Sequence, residues 1–285
     1  HLMARLHESA SRAFAEIDFH DLLRYQDFGG TAHDREVALQ WLRPFVPHAS
    51  VDRILVCPGI HGVLTALFSQ LARPGELICV ESLTYPGVKA IAAQLGVQLH
   101  ALQLDDDGPI ADAFEHACKT LKPKALYCNP TLLNPTAGTV SRREAQADVA
   151  LRYAIPIIED DAYGMLPRQT PGTIATLAPA LTYYVSGFSK CFGAGLRSAY
   201  VCSPTVVQSQ RLAGAMRATT VMASPITNAL TTLWVEDGTT EAMLQAVRAE
   251  SVARQLLAMR HLGDSGLQAH PEGFHAWLPL TPGWS

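Results

Sequence analysis

The chain has 285 residues, 48% of them hydrophobic and 17% charged, against roughly 25% charged in ordinary soluble proteins. It therefore has the material for a sizeable core, and global disorder is excluded. Its 22 basic and 26 acidic residues give a net charge of −4, which argues against these residues forming a nucleic-acid-binding surface by themselves.

In chain order, short apolar runs alternate with amphipathic stretches. Residues 53–59 (RILVCPG) read as a strand and turn, 62–72 as a helix, and 76–82 (ELICVES) as a second strand. Residues 85–96 read as a turn and helix closed by Gly96, and 97–104 as an alternating strand. After the turn DDDGPI come a helix (ADAFEHACKTLK), a strand at 124–130 (KALYCNP) and a helix opening at Ser141. Glu144, three residues on, predicts a capping box there. Strands follow at 155–164 (IPIIEDDAYG), 180–190 (ALTYYVSGFSK) and 196–203 (LRSAYVCS). Residues 205–262 read as helices, with a long one over 239–262, and 270–280 (HPEGFHAWLPL) as a turn and an incoming strand without a partner, as in a fragment.

This βαβα alternation predicts an α/β fold: a mostly parallel sheet between two helical layers. Such sheets bind ligands at the carboxyl ends of their strands, and the polar clusters fall there: Gly59–His61, Tyr85, Asn134, Asp160–Tyr163 and Ser189–Lys190. No apolar run reaches the ~18 residues of a membrane span, and HLMARLHESASR lacks the apolar core of a signal peptide. Cys57, Cys79, Cys118, Cys128, Cys191 and Cys202 form no C-x-x-C pair. They read as buried thiols in a reducing, cytoplasmic compartment. No His/Cys pair has metal-ligand spacing; His270 and His275 flank a Pro-Glu-Gly turn and read as surface loop. LDDDG reads as a turn rather than a calcium loop, and GAG at 193–195 as a small-residue turn.

Asp160 leaves a very apolar strand, where an unpaired carboxylate is costly. Tyr163 adds a phenol, Lys190 leaves a strand among small residues, and Arg197 opens another apolar strand. Each has a bland reading alone. Together they match pyridoxal phosphate chemistry, which needs an amine to bind the cofactor, an acid beside the pyridine nitrogen, donors to the ring hydroxyl and cations or amides at the phosphate.

The motifs RYQDFGG, CPGIHG, ESLTYPG, NPTAG, EDDAYG and SGFSKCFGAGLR, in this order, resemble those of the fold-type I aminotransferases of class I/II, from about Leu22 to Leu280. The resemblance implies a three-layer large domain over 51–238, an N-terminal helical and dimer-contact segment over 1–50, and an incomplete small C-terminal domain from 239 to 285. It implies that Lys190 carries pyridoxal phosphate as an imine, that Asp160 pairs with the pyridine nitrogen, and that Tyr163 and Asn134 bond the ring hydroxyl, keeping the imine's proton affinity low. Tyr85 would stack on the ring. Amides of Gly59, Ile60 and His61, the Ser189 position and Arg197 would serve the phosphate. Tyr25 would reach the phosphate of a neighbouring subunit, which implies a homodimer.

The sequence departs from the family at Gly187, where a serine or threonine is usual three residues before the lysine, and at His61, where glutamine or a small residue is common. Asn129 reads as a strand-end residue and Cys191 as a packed thiol. LLRYQDFGGTAHDREVALQWL, RILVCPG and IIEDDAYG resemble the aminotransferase-like domain of MocR-type regulators of the GntR superfamily. That resemblance implies a sensor of a small amino acid or amine, with DNA contacted only through a domain outside these residues. The other reading is a freestanding transaminase with a 2-oxo acid acceptor.

Overall fold

The computed structural model describes residues 2–280. His1 and residues 281–285, at the two ends of the expected domain division, lie outside the described residues. The chain opens with helices α1 (Leu2–Glu16), α2 (Phe19–Leu22) and α3 (Ala32–Leu42). Helix α3 starts at a capping box that the sequence reading does not anticipate. Thr31 accepts the Asp34 N–H, and the Asp34 carboxylate accepts the Thr31 N–H at 3.0 Å.

Next come β1 (Ile54–Cys57), α4 (Ile60–Leu71), β2 (Leu77–Glu81), α5 (Pro86–Leu95), β3 (Gln98–Leu102) and a hairpin of β4 (Leu104–Asp105) and β5 (Gly108–Pro109). They are followed by α6 (Ala111–Thr120), β6 (Ala125–Cys128), α7 (Arg143–Tyr153), β7 (Ile157–Asp160), α8 (Ile174–Leu177), β8 (Thr182–Gly187) and β9 (Ala199–Cys202). Helices α9 (Val206–Thr219), α10 (Pro225–Glu236) and α11 (Thr239–Leu262) precede a last short hairpin, β10 (Gln268–Ala269) with β11 (Ala276–Trp277).

The main sheet has the order β1-β9-β8-β7-β6-β2-β3. Pairs β2·β3, β2·β6, β6·β7 and β7·β8 are parallel, and β9 is antiparallel to both neighbours. Every residue of β1, β6, β7, β8 and β9 is buried, as continuous apolar runs in a sheet covered on both faces require. β3, at the edge, is largely open to solvent, which explains its alternating sequence.

The two-residue period sorts the strand side chains onto two faces, where they pack in three clusters. Tyr127, Ile158, Tyr183 and Val185 meet Leu64, Leu67 and Phe68 of α4, Ile91 of α5 and Leu212 of α9. Leu126, Cys128 and Ile157 meet Phe114 of α6 and Ala147 of α7, while Tyr184 and Tyr200 meet Leu42 of α3 and Leu244 of α11. Each fully buried Leu or Phe contributes about 1.5–3 kcal/mol. The result is the expected three-layer α/β arrangement.

Two expectations are corrected. The capping box at Ser141 and Glu144 does not form. Helix α7 begins at Arg143 with no side-chain cap; Ser141 donates instead to Asp107 Oδ1, and Arg142 pairs with Asp107 at 2.8 Å. The β4–β5 turn thus captures the residues meant to cap the helix. The strand expected without a partner over 270–280 has one, because Ala276 and Trp277 pair with Ala269 and Gln268. The Asp105–Asp107 turn is as read: Asp105 Oδ1 accepts the Asp107 N–H at 2.9 Å.

Candidate functional site

β2, β6, β7 and β8 run in one direction, and β1 shares it because β9 lies antiparallel between β1 and β8. The carboxyl ends of these strands therefore meet along one edge, where open α/β sheets hold ligands. β9 runs the other way, so Arg197, just before it, arrives at the same edge. There a cavity of about 190 Å³ is lined by every predicted site residue except Gly59 and Tyr25: Ile60, His61, Tyr85, Asn134, Asp160, Tyr163, Ser189, Lys190 and Arg197, with Asn129 among them.

Asp160 ends β7 and is only 3% exposed. Its Oδ2 accepts the Tyr127 hydroxyl at 2.8 Å, while its Oδ1 is buried with no partner. Burial pushes its carboxyl up to about 7. A cationic N–H donor at that bare oxygen would favour the carboxylate.

Tyr163 is buried three residues later, and burial raises its phenol. Asn134 Nδ2 donates to the Tyr163 hydroxyl at 3.4 Å. Lys190 lies on a single wide turn (Ser189–Gly193) in which both Phe192 and Gly193 amides bond the Phe188 carbonyl. Such turns recur at functional sites. Lys190 Nζ stands 5.6 Å from the centre of the Tyr163 ring and 5.2 Å from that of Phe274. The neighbouring Cys191 is a packed thiol as read: it is buried, and burial pushes it up to about 12. All six cysteines are buried and free.

On the opposite side, Gly59 takes φ +82 at the start of α4. It is corrected in one respect. Its amide donates to the Cys57 carbonyl at 2.8 Å, so it does not face the cavity as a free donor. Its contribution is space: a Cβ there would fall 3.1 Å from Arg197 Nη2. The free amides of the first helical turn are those beyond it, beginning at Ile60 and His61, and they carry the positive end of the helix dipole. Gly187 explains its own departure from the family. A Cβ there would meet Ile60 at 2.9 Å, so the side chain of Ile60 occupies the space that a serine or threonine would need. The Tyr85 ring folds against Gly87, where a Cβ would lie 2.3 Å from it. Tyr25 is 81% exposed and outside the cavity.

Three residues escape the sequence reading. His275, expected in a surface loop, is half-buried, its ring 5.0 Å from that of Tyr163 and its Nε2 3.2 Å from the Leu133 carbonyl. Burial, with the Lys190 charge behind it, holds its pKa below the usual value. Phe274 overhangs Lys190. Asn129 is more than a strand end, since it bonds Asp160, Asn134 and Glu81. Sequence spacing carries no signal for contacts that cross between strands.

Residues 3–278 match the family of aminotransferases of class I and II, and the chain belongs to that family. It is 28% identical over 270 residues to an uncharacterized HTH-type transcriptional regulator of Bacillus subtilis, YdeF, a match covering 94% of this chain and 58% of that protein. It is 24% identical over 279 residues to the 2-aminoadipate transaminase of Thermus thermophilus, covering 92% of this chain and 68% of that one. Its fold superposes on an archaeal alanine:glyoxylate aminotransferase with a TM-score of 0.88 at 23% identity, over 99% of this chain and 73% of the other. The chain thus spans little more than half the length of the regulator it matches.

The residues present fit pyridoxal phosphate. Asp160 Oδ1 is a buried acceptor without a donor, Lys190 supplies an amine, and Arg197 stands beside the free amides of α4. Among the described residues no helix is long and apolar enough to cross a membrane, and no cluster of His, Cys, Asp and Glu is arranged to hold a metal ion.

Proposed function

We propose that this chain is the pyridoxal-phosphate-binding, effector-sensing and dimerisation part of a MocR-type transcriptional regulator of the GntR superfamily. One observation carries the reading. The Bacillus subtilis regulator matches 94% of this chain, yet 42% of that regulator's length lies outside the match, which leaves room for a separate DNA-contacting domain.

The bound cofactor supplies an electron sink for charge developing on the ligand's α-carbon. Lys190 would hold it covalently; in the transaminase reading the same amine would also move a proton as general acid and base. Asp160 Oδ1 would accept the pyridine N–H, while Tyr127 holds the other oxygen. Tyr163 and Asn134 would bond the ring hydroxyl, and Tyr85 would cover the ring face. The Ile60 and His61 amides, the Ser189 hydroxyl and the Arg197 guanidinium would hold the phosphate, an anion at a helix N-terminus. Tyr25 completes the phosphate site of a second subunit in a cytoplasmic homodimer. Within the chain, residues 51–238 form the cofactor-binding unit, 1–50 the dimer-contact segment and 239–285 the start of the small domain. The ligand is a small amino acid or amine.

A freestanding transaminase is the second reading, favoured by the match to the Thermus thermophilus transaminase over 92% of this chain. The two separate on one experiment with full-length protein and cofactor. A panel of amino acids and amines is added and the visible spectrum followed. A band that shifts and stays shifted supports the sensor, and DNA binding is then measured with and without that ligand. Conversion to the pyridoxamine form, reversed by a 2-oxo acid, sinks the sensor reading and establishes the transaminase.

A further inference from the structure

Asn129 lies immediately after β6, between the ends of β2 and β7, and is 2% exposed. Its backbone N–H and both side-chain polar atoms are engaged. Its N–H donates to Glu81 Oε1 at 2.8 Å, its Nδ2 donates to the Asp160 carbonyl at 2.5 Å, and its Oδ1 accepts the Asn134 N–H at 2.9 Å. Asn134 in turn donates through its own Nδ2 to the Tyr163 hydroxyl. A continuous chain of hydrogen bonds therefore runs from Glu81, wholly buried at the end of β2, to the pair of groups assigned to the ring hydroxyl. Among the described residues, the other side chain that bonds Glu81 is Thr84, whose hydroxyl donates to Oε2 at 3.5 Å.

We propose that Asn129, anchored by Glu81, is the positioning residue that holds Asn134 and Tyr163 in place for the cofactor's ring hydroxyl. The proposal rests on the assignment of this cavity to pyridoxal phosphate. The chemistry at position 129 calls for an amide, which donates to the Asp160 carbonyl and accepts the Asn134 N–H with one planar group. Leucine does neither, and an ionised aspartate only accepts. Removing the amide leaves the buried Asp160 carbonyl and Asn134 N–H unpaired, so the Asn134 turn loses the contact that fixes where its side chain points. Burial pushes the Glu81 carboxyl up to about 8, so near neutral pH it serves this chain largely as a neutral acceptor.

The test reads the pH dependence of the visible band of the Lys190–cofactor imine in the full-length protein, without turnover. Asn134→Ala raises the midpoint of that titration by about one pH unit, the usual scale for loss of a hydrogen bond to the charged partner of an ionising group. Asn129→Ala raises it in the same direction by a comparable amount, and the double variant goes no further than either single one, because both act through one contact. Should Asn129→Ala fail to fold, Asn129→Ser, too short to reach both groups, is read in the same way. A variant with lowered thermal stability but a wild-type midpoint, beside a shifted Asn134→Ala, overturns the proposal and leaves the cofactor assignment standing. A wild-type protein with no imine band at all overturns the assignment itself.

Discussion

At the scale of single residues, the site turns on one unpaired oxygen. Asp160 has Tyr127 on Oδ2 and nothing on Oδ1, at a depth where burial raises its carboxyl to about 7. Its charged form is therefore waiting for a cationic donor. We expect Asp160→Asn to weaken cofactor affinity by about tenfold to a hundredfold, the worth of a hydrogen bond to a charged group. Fluorescence titration with pyridoxal phosphate measures this, and an unchanged Kd would remove Asp160 from the pyridine nitrogen. Asp160 and Lys190 were legible in the sequence only together, because each has a bland reading alone but the set of strand-end groups matches the needs of one cofactor. Asn129 and His275 were not. Asn129 differs from a strand-end asparagine through its bond to Asn134 and through partners 31 and 48 positions away in the chain. His275 sits in a turn-like stretch, and only the folded chain lays its ring on Tyr163.

At the scale of elements, strands were easier to read than helix starts. A buried parallel strand announces itself as an apolar run, whereas a cap depends on competition for one side chain. Ser141 satisfies the capping pattern in sequence but is taken by Asp107, while Thr31 and Asp34 form the box in fact. The end of β2 makes a measurable prediction. Glu81 is raised from an ordinary 4.5 to about 8, chiefly by burial. The folded state thus holds its proton more tightly than the unfolded chain does. The stability linked to this group is fully present below about pH 4.5 and is lost as the pH rises through 8. Glu81→Gln keeps an acceptor for the Asn129 N–H and removes the titration. We expect apoprotein stability, measured by urea unfolding, to fall less between pH 5 and pH 8 in Glu81→Gln than in wild type. Parallel pH dependences would contradict this account of the carboxyl.

At the scale of the whole molecule, the alternation of apolar runs and amphipathic stretches was enough for the three-layer fold, because each crossover returns the chain to the same edge of the sheet. The antiparallel β9 was not legible. Its direction depends on which strands flank it, and it is what brings Arg197 to the cavity. Leu23 and Tyr25 are 78% and 81% exposed, an apolar pair that a second subunit would cover. In the proposed homodimer, Tyr25→Ala weakens cofactor binding severalfold while leaving the unfolding free energy of the isolated subunit within about 0.5 kcal/mol of wild type. Urea unfolding and cofactor titration on the same samples check both halves. Wild-type cofactor affinity in Tyr25→Ala would place that residue outside any phosphate site.

The central claim is that the cavity at the strand ends binds pyridoxal phosphate through Lys190. The visible absorption spectrum of the full-length protein, reconstituted with the cofactor beside its Lys190→Ala variant, tests it most directly. A pH-dependent imine band is expected in the wild type and is missing from the variant. A band of equal intensity in both proteins, or in neither, would contradict it.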